Sequence, residues 1–389
     1  MPVINRVAEF QADIAAWRHD FHANPELLYD VHRTAQTVAE KLKSFGVDEV
    51  VTGIGRTGVV GIIKGRSDTS GRTIGLRADM DALPITERTG KPYASKNTGK
   101  MHACGHDGHT AMLLGAARYL ADTRNFDGSV AVIFQPAEEG GAGGKAMIDD
   151  GLMERFDISE VFGMHNMPGI PLGRFAIREG GIMAGTDEFV IEITGHGGHA
   201  AMPHLAVDPV IVSAHVITGL QTLVSRNVDP IRSAVLSVTK INAGTAHNVI
   251  PRTAKIAGTV RTLDEAVRNR MEEGIRRLAP QLAQAFGAEA AVSYHRGYPV
   301  TVNTPDQTAF SIAVAREIAG DDRVDPRVDP TMGGEDFAYM LQARPGSYIF
   351  LGNGKSSELH TDTYDFNDEA IPYGVSYWVR LAERALPVG

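Results

Sequence analysis

The chain has 389 residues and a formal net charge of −9 at pH 7, and this acidic excess argues against non-specific binding to nucleic acid. A hydrophobic fraction of 43% and a charged fraction of 22% are typical of a globular chain long enough for two or three domains. The single cysteine excludes an intramolecular disulfide and fits a reducing compartment. Met1–Phe10 lacks the apolar core of a signal peptide, and no run of about 18 apolar residues occurs, so we expect a cytoplasmic protein without a membrane span.

The first part of the chain alternates helices and strands. Two helices and two strands are predicted by hydrophobic periodicity: Ile4–Ala23, Thr34–Phe45, Val59–Lys64 and Ile74–Asp81. The second strand ends with Asp79 and Asp81. Acidic residues at a strand end are typical of an α/β active site, although on these residues alone a solvated turn is equally compatible.

The segment Met101–His109 contains the only cysteine, Cys104, with three histidines and an aspartate. Cysteine and histidine supply the sulfur and nitrogen donors that zinc-type divalent ions prefer. A buried helix is predicted directly after the segment, over Thr110–Leu120. Taken alone, the segment predicts either a metal-binding loop that leads into a helix or a buried thiol with surface histidines.

Two further predicted strands also end in polar residues. Val130–Phe134 leads into a Gln-Pro-Ala sequence followed by Glu138 and Glu139. The strand Val161–Met164 is followed by His165. One glutamate of the pair could bind a metal while its neighbour acts as a base. The alternative is a pair of solvent-exposed glutamates without a catalytic role.

The pattern then changes to an α+β insertion between Thr186 and Tyr298, after which the α/β pattern resumes. Its predicted elements are four strands and two helices: Phe189–Thr194, Ala234–Ile241, Ala254–Arg261 and Ala290–His295, with helices from Asp208 to about Ser225 and over Leu263–Phe286. The elements predicted afterwards are helices over Asp306–Ile318 and Glu369–Ala385, a helix opened by Gly333–Phe337, and the strand Ser347–Leu351. We therefore predict an α/β fold class in which 1–185 and 299–389 form the catalytic domain and 186–298 an inserted lid and dimerisation domain.

Seven motifs that follow one another along almost the whole chain resemble a known family. They are Leu76–Pro84, Met101–His109, Gln135–Gly141, Met164–Asn166, Gly195–Pro203, Gly333–Phe337 and Leu359–Thr361. The chain resembles the M20 metallopeptidases, and within them the amidohydrolase branch of hippurate hydrolases, N-acyl-amino-acid deacylases and auxin-conjugate hydrolases. One such motif would be weak, but seven in the family order are specific.

The resemblance implies a site for two divalent metal ions in the α/β domain. The implied ligands are Cys104, His106, Glu139, His165 and His360. Glu138 would be the general base, and Asp81 matches a supporting carboxylate that orients a ligand. Asp79 stands where other branches have a histidine ligand, and this departure leaves Zn, Mn, Co and Ni as candidate ions. Asp107 and His109 are further candidates for residues that orient a metal ligand without binding the metal.

The same resemblance implies roles for residues of the insertion. His199 would stabilise the oxyanion in the site of the partner subunit of a homodimer. The alternative is that His199 is a loop histidine that only packs at the dimer contact. Asn248 and Arg261 would bind a substrate carboxylate, because the arginine fork matches a carboxylate. Arg252 and Arg178 are competing candidates for that contact.

The chemistry also follows from the residue types. Two close metal ions lower the pKa of water and polarise a carbonyl group, and a neighbouring carboxylate can carry the proton. Together with the family resemblance, which implies the substrate class, the favoured function is hydrolysis of N-acetyl or N-benzoyl amino acids such as hippurate. A dipeptidase or carboxypeptidase of the same family is the main alternative, and an aryl-amine deaminase is a third. The nucleobase-deaminase pattern is missing from the sequence, and a non-catalytic metal-binding protein would be expected to lack the base that Glu138 provides.

Overall fold

The computed structural model describes residues 4–389, which divide into two compact units. The first unit is the chain up to Gly180 with Val302–Asp329 and Asp336–Gly389, and the second is Gly181–Thr301 with Pro330–Glu335. The second unit thus begins and ends a few residues outside the limits drawn from the sequence, and it includes the segment 330–335, which the sequence pattern did not assign to it. Of the segment considered for a signal peptide, residues 1–3 lie outside the described part. No described helix is long and apolar enough to cross a membrane.

The described residues form ten α-helices and sixteen strands. The helices are α1 Asn5–Ala23, α2 His32–Ser44, α3 His106–Thr123, α4 Gly143–Asp149, α5 Leu152–Arg155, α6 Pro209–Thr222, α7 Glu265–Ala285, α8 Pro305–Ala319, α9 Ala338–Ala343 and α10 Ile371–Ala385. The strands are β1 Glu49–Ile54, β2 Gly58–Lys64, β3 Thr73–Asp79, β4 Ser129–Gln135, β5 Ile158–Pro168, β6 Phe175–Ala176, β7 Gly180–Met183, β8 Gly185–Thr194, β9 Gly198–His199, β10 Ala234–Ala243, β11 Val249–Ile250, β12 Thr253–Thr262, β13 Glu289–Arg296, β14 Thr301–Asn303, β15 Val324–Asp325 and β16 Gly346–Gly354.

The first unit is built on an eight-stranded mixed sheet in the order β1-β2-β4-β3-β5-β16-β6-β15. The four strands β4, β3, β5 and β16 are parallel neighbours, so their carboxyl ends meet at one edge. Every residue of β3 is buried, which explains its continuous apolar pattern, because a central parallel strand is covered on both faces.

Helices α1, α3 and α10 pack together in this unit, and α3 also contacts β3. α3 is buried along most of its length because it lies among these neighbours, and its sequence is correspondingly rich in Ala, Leu and Gly. α10 is amphipathic and buries Trp378 and Val375 in the same core. The first turn of α3 is therefore held rigidly behind the sheet edge.

The second unit has a four-stranded antiparallel sheet in the order β10-β12-β8-β13. Helices α6 and α7 pack against it and against each other, and β8 alternates buried and more exposed residues as a one-sided sheet requires. Asp208 and Asp264 cap α6 and α7 by accepting backbone N–H groups.

Two predicted boundaries near the strand ends were wrong, and one helix was not predicted. α3 begins at His106 and not at Thr110, because Gly105 takes φ +90° and turns the chain directly into the helix. A side chain at Gly105 would collide with the Asn166 amide, which explains the glycine. β5 continues through His165 to Pro168, since His165 pairs with Phe350 of β16. Helix α4 forms in a glycine-rich segment for which no helix or strand was predicted.

Candidate metal centre

The parallel strands bring the predicted polar residues of the first unit to one edge of its sheet. Asp79 is the last residue of β3, and Asp81 follows it. Glu138 and Glu139 follow β4, and His165 lies in the last part of β5. This edge is where ligands bind in open α/β sheets.

Cys104, His106 and His165 form a buried group in which one candidate ligand atom from each lies within 4.8 Å of the others. The Cys104 sulfur is 3.4 Å from His165 Nε2. Burial raises the pKa of the Cys104 thiol and lowers the pKa of His165 well below its ordinary value. A thiolate at this position therefore needs a neighbouring positive charge.

Hydrogen bonds fix which nitrogen each buried imidazole offers. His106 Nδ1 lies 2.8 Å from the backbone oxygen of Asp81, and His165 Nδ1 lies 2.5 Å from that of Asn166. Because a carbonyl oxygen only accepts, both Nδ1 atoms carry the proton and donate it. The Nε2 lone pair of each ring is then available for a metal ion, as is usual when the other ring nitrogen is held by a carbonyl.

Glu139 and His360 complete a second group that shares Cys104 with the first. Glu139 Oε1 is 3.3 Å from His360 Nε2 and 4.0 Å from His106 Nε2. Burial acts to raise the pKa of Glu139, but the contact with His360 and the charge of His106 hold it below its ordinary value. His360 has φ +61°, a left-handed conformation that is costly for a non-glycine residue. Its N–H donates to the Ala103 oxygen at 2.8 Å, which fixes the residue beside the cysteine segment.

These residues fit a divalent metal ion. Among the described residues, the buried His106 Nε2 has no hydrogen-bond partner, and leaving such a group unsatisfied costs about 1–3 kcal/mol. Burial acts to lower the pKa of His106, yet Asp79 and the other surrounding carboxylates raise it to about 10. The site thus stabilises a positive charge at this nitrogen. Sulfur, imidazole and carboxylate donors are those that Zn and similar divalent ions accept.

Glu138 lies beside this donor set. It is buried, and one carboxylate oxygen lies within 4.8 Å of candidate donor atoms of His106 and Glu139. Asp81 accepts the backbone N–H of Glu138 at 2.9 Å and that of Glu139 at 3.1 Å. Ala137 precedes the pair with φ +53°, which lets both N–H groups face one carboxylate. Burial raises the pKa of Asp81.

Asp79 and His109 lie next to the candidate ligands, but their atoms are engaged elsewhere. Asp79 accepts from His109 Nδ1 at 2.7 Å and from Arg77 at 2.8 Å. Burial acts to raise the pKa of Asp79, but the charges of His106, Arg77 and His109 hold it well below the usual range. His109 Nε2 accepts the Asn166 N–H at 2.9 Å. Both ring nitrogens of His109 form hydrogen bonds, so His109 orients its neighbours and offers no lone pair to a metal.

Of the predicted residues of the second unit, His199 and Asn248 lie close together, whereas Arg261 lies near the far end of β12. β9 pairs with β11 so that His199 is opposite Val249, and the Ala200 N–H donates to the Asn248 oxygen at 3.0 Å. The Ala201 N–H donates to His199 Nδ1 at 3.1 Å, which leaves the proton on Nε2 of an exposed ring. Arg261 lies on β12 and donates to the Val260 oxygen at 3.1 Å.

The competing arginines differ in position. Arg178 belongs to the first unit, where it donates to the Val328 oxygen at 3.1 Å. Arg252 is exposed in the turn before β12. Burial lowers the pKa of Arg261.

Comparison with known proteins identifies the family. Residues 75–384 match the model of peptidase family M20/M25/M40. The chain belongs to this family. It is 45% identical to the hippurate hydrolase of Campylobacter jejuni over 99% of this chain and 100% of that protein. It is also 42% identical to thermostable carboxypeptidase 2 of Saccharolobus solfataricus, over 90% of this chain and 88% of that protein.

A solved structure supports the same relationship. The crystal structure of a dinuclear metal binding peptidase from the M20 family of Bacillus subtilis is 34% identical to this chain. It matches with a TM-score of 0.86 over 97% of this chain and 99% of its own. The α/β fold predicted from the sequence is confirmed by this match.

Two residues of α1 approach the site, although the sequence did not indicate them as site residues. The M20 match, which begins at residue 75, does not include this helix. Arg18 and His22 are fully buried, and both contact Asp107, the residue after His106. Burial acts to lower the pKa of His22, but Asp107 and Glu87 raise it to about 9. Their spacing of four residues places them on one helix face, but nothing in the sequence indicates that this face is buried against Asp107.

Proposed function

We propose that this M20 protein hydrolyses the amide bond of N-acyl amino acids and releases a carboxylic acid and an amino acid. The observation that carries the proposal is the position of Glu138 beside a Cys, His and Glu donor set, in a chain similar to a hippurate hydrolase over its whole length. Hippurate is N-benzoylglycine, so N-benzoyl and N-acetyl amino acids are the first substrate class.

The proposed cofactor is a pair of divalent metal ions, Zn, Mn, Co or Ni. The residues that would hold them are Cys104, His106, Glu139, His165 and His360, whose two candidate groups share Cys104. When bound, the ions would lower the pKa of water and polarise the substrate carbonyl. The shared cysteine and the buried, unpartnered nitrogen of His106 support this assignment.

The residues of the chain move the proton and hold the geometry. Glu138 takes a proton from the attacking water, whose oxygen joins the carbonyl carbon. The same carboxyl group then donates the proton to the leaving nitrogen as the C–N bond breaks, so the products are a carboxylic acid and an amine. Asp81 fixes the backbone of Glu138 and Glu139, which keeps base and ligand in a constant relation.

Residues of the second unit have proposed roles at the substrate. His199 donates its Nε2 proton to the oxyanion in the site of a second copy of the chain, and its Nδ1 contact with Ala201 supports that tautomer. Asn248 and Arg261 bind the carboxylate of the amino-acid part. Arg261 has no ion pair with a carboxylate among the described residues. Its NH1 nitrogen donates to Thr259 and Val260, so Nε and NH2 are the nitrogens that would contact a substrate.

A homodimer is proposed from the surface of the second unit. β10 is an edge strand of its sheet, and its last residues are exposed, including Ile241 at 55%. α6 exposes Val210 and Ile211 and carries no charged side chain, which is unusual for a solvent-facing helix. An unpaired edge and an apolar helix face suit a second copy of the chain. The lone reduced cysteine supports a cytoplasmic location.

The similarity to a carboxypeptidase favours peptide hydrolysis as a second candidate. N-acetyl-L-alanine and glycyl-L-alanine distinguish the two functions, because they share the scissile amide and leaving group and differ by a free ammonium. The protein is stripped of metal, reloaded separately with each ion, and tested on this pair and on hippurate. Release of amino acid from the acyl compounds only, dependent on metal, supports the amidohydrolase. Release only from the dipeptide replaces it with the peptidase, and no release from either refutes both.

A further inference from the structure

Arg18 of α1 is a fully buried cation in contact with three carboxylates. Its NH1 nitrogen lies 3.3 Å from Asp107 and 3.1 Å from Asp365, and its Nε lies 2.8 Å from Asp368. The guanidinium carbon is also 4.4 Å from the centre of the Tyr93 ring. A guanidinium presents several donors in a fixed plane, so one side chain can hold three acceptors at once.

The three carboxylates belong to two segments that carry candidate metal ligands. Asp107 follows His106 in the first turn of α3. Asp365 and Asp368 lie in the segment that leads from His360 to α10. These segments are far apart in sequence, and Arg18 connects them behind the metal centre.

Neighbouring contacts extend the connection to a third ligand. Tyr364 is buried and donates its hydroxyl proton to the Asn166 side chain, next to His165. The adjacent Asp365 is held by Arg18. The position of the segment 364–368 is therefore tied both to the strand that carries His165 and to the helix turn that carries His106.

We propose that Arg18 is a positioning residue of the metal centre, which holds the His106 turn and the segment after His360 in the geometry that binds metal. The inference rests on the metal site of the proposed function. Removing Arg18 would leave Asp107, a fully buried carboxylate, with His22 as its remaining charged partner, so the turn would shift or admit water.

The chain offers a matched control on the same helix. Arg6 of α1 forms a 2.9 Å ion pair with Asp122 of α3. Like the pair of Arg18 and Asp107, it joins α1 to α3, but the Arg6 side chain is 47% exposed. Arg6→Met removes an α1–α3 ion pair at the far end of α3. The test compares the wild type, Arg18→Met, Arg18→Lys and Arg6→Met as full-length proteins.

Three quantities are measured for each protein: the dissociation constant for Co²⁺ and Zn²⁺ by chelator competition, the visible spectrum of the Co²⁺ form, and the unfolding midpoint. Changes around metal ligands of this kind reduce metal affinity roughly 10- to 100-fold. We expect a loss of that size and an altered Co²⁺ spectrum for Arg18→Met, a smaller loss for Arg18→Lys, and wild-type values for Arg6→Met.

A purely structural role would lower the unfolding midpoint but leave the metal affinity and the spectrum of the folded protein unchanged, and that result overturns the inference. If Arg18→Met does not fold, Arg18→Lys decides by the same criterion, because lysine keeps the charge without the fork. The proposed function fails separately: it is refuted if the wild type itself neither binds the ions nor cleaves an acyl substrate.

Discussion

Asp81→Asn tests whether one buried carboxylate holds both glutamates of the site. Asp81 accepts the N–H groups of Glu138 and Glu139 with its two oxygens. Asparagine keeps one acceptor but turns an NH₂ group toward the other N–H. Hydrogen bonds to a charged group contribute about 1.5–3 kcal/mol each, and an unsatisfied buried donor costs about 1–3 kcal/mol.

The two effects together would lower the free energy of unfolding by about 2.5–6 kcal/mol. Burial raises the pKa of Asp81, so desolvation already offsets part of the favourable contribution of the charge. We therefore expect a value at the low end, about 2.5 kcal/mol. Displacing Glu138 and Glu139 by about 1 Å should also lower kcat by roughly 100-fold.

Urea unfolding followed by tryptophan fluorescence reports the stability of the relevant unit, because both tryptophans, Trp17 and Trp378, lie in the first unit. Asp127→Asn is the control. Asp127 accepts the Thr69 N–H at 2.7 Å before the start of β4, at the opposite end of that strand from the glutamates. The control should leave kcat unchanged. A folded Asp81→Asn protein with wild-type kcat and metal content would refute the role given to Asp81.

Four further outcomes are expected. Glu138→Gln should retain metal by elemental analysis and lose nearly all turnover, and substantial residual activity would remove Glu138 as the base. Cys104→Ala should lose metal, and full retention would exclude the thiolate from the ligand set. His199→Ala should lower kcat by roughly 100- to 1,000-fold with little change in KM, the effect of losing one oxyanion donor; a change in KM alone would contradict that role. His22 contributes stability below pH 6.5 that is lost as the pH rises through about 9, because its folded-state pKa is raised to about 9; the unfolding midpoint of His22→Gln should lack this loss between pH 6 and pH 10, and an equal pH dependence in both proteins would refute it.

The sequence was most informative where chemistry depends on residue type and order. The motifs around Cys104, Glu138 and His165 indicated the family, the α/β fold and the candidate donors, because sulfur, imidazole and carboxylate groups at successive strand ends have few other uses. Apolar periodicity located most helices and strands to within a few residues.

The tertiary structure decided which atoms of those residues are available. The sequence presents His106 and His109 as equivalent histidines three positions apart. Of these two, His106 keeps a buried nitrogen without a hydrogen-bond partner, whereas both nitrogens of His109 form hydrogen bonds. This distinction depends on Asp79, Asp81 and Asn166, which approach the histidines only after the strands pair.

The contribution of α1 was likewise decided only by the fold. Arg18 and His22 lie far from the cysteine segment along the chain, and their local pattern indicates an ordinary helix. Their contacts with Asp107, Asp365 and Asp368 exist because α1 packs against α3 and α10. Local sequence determined the elements and the donor types, since these depend on neighbouring residues and side-chain chemistry. The partners of each buried charge depend on long-range packing, which cannot be inferred from the order of residues alone.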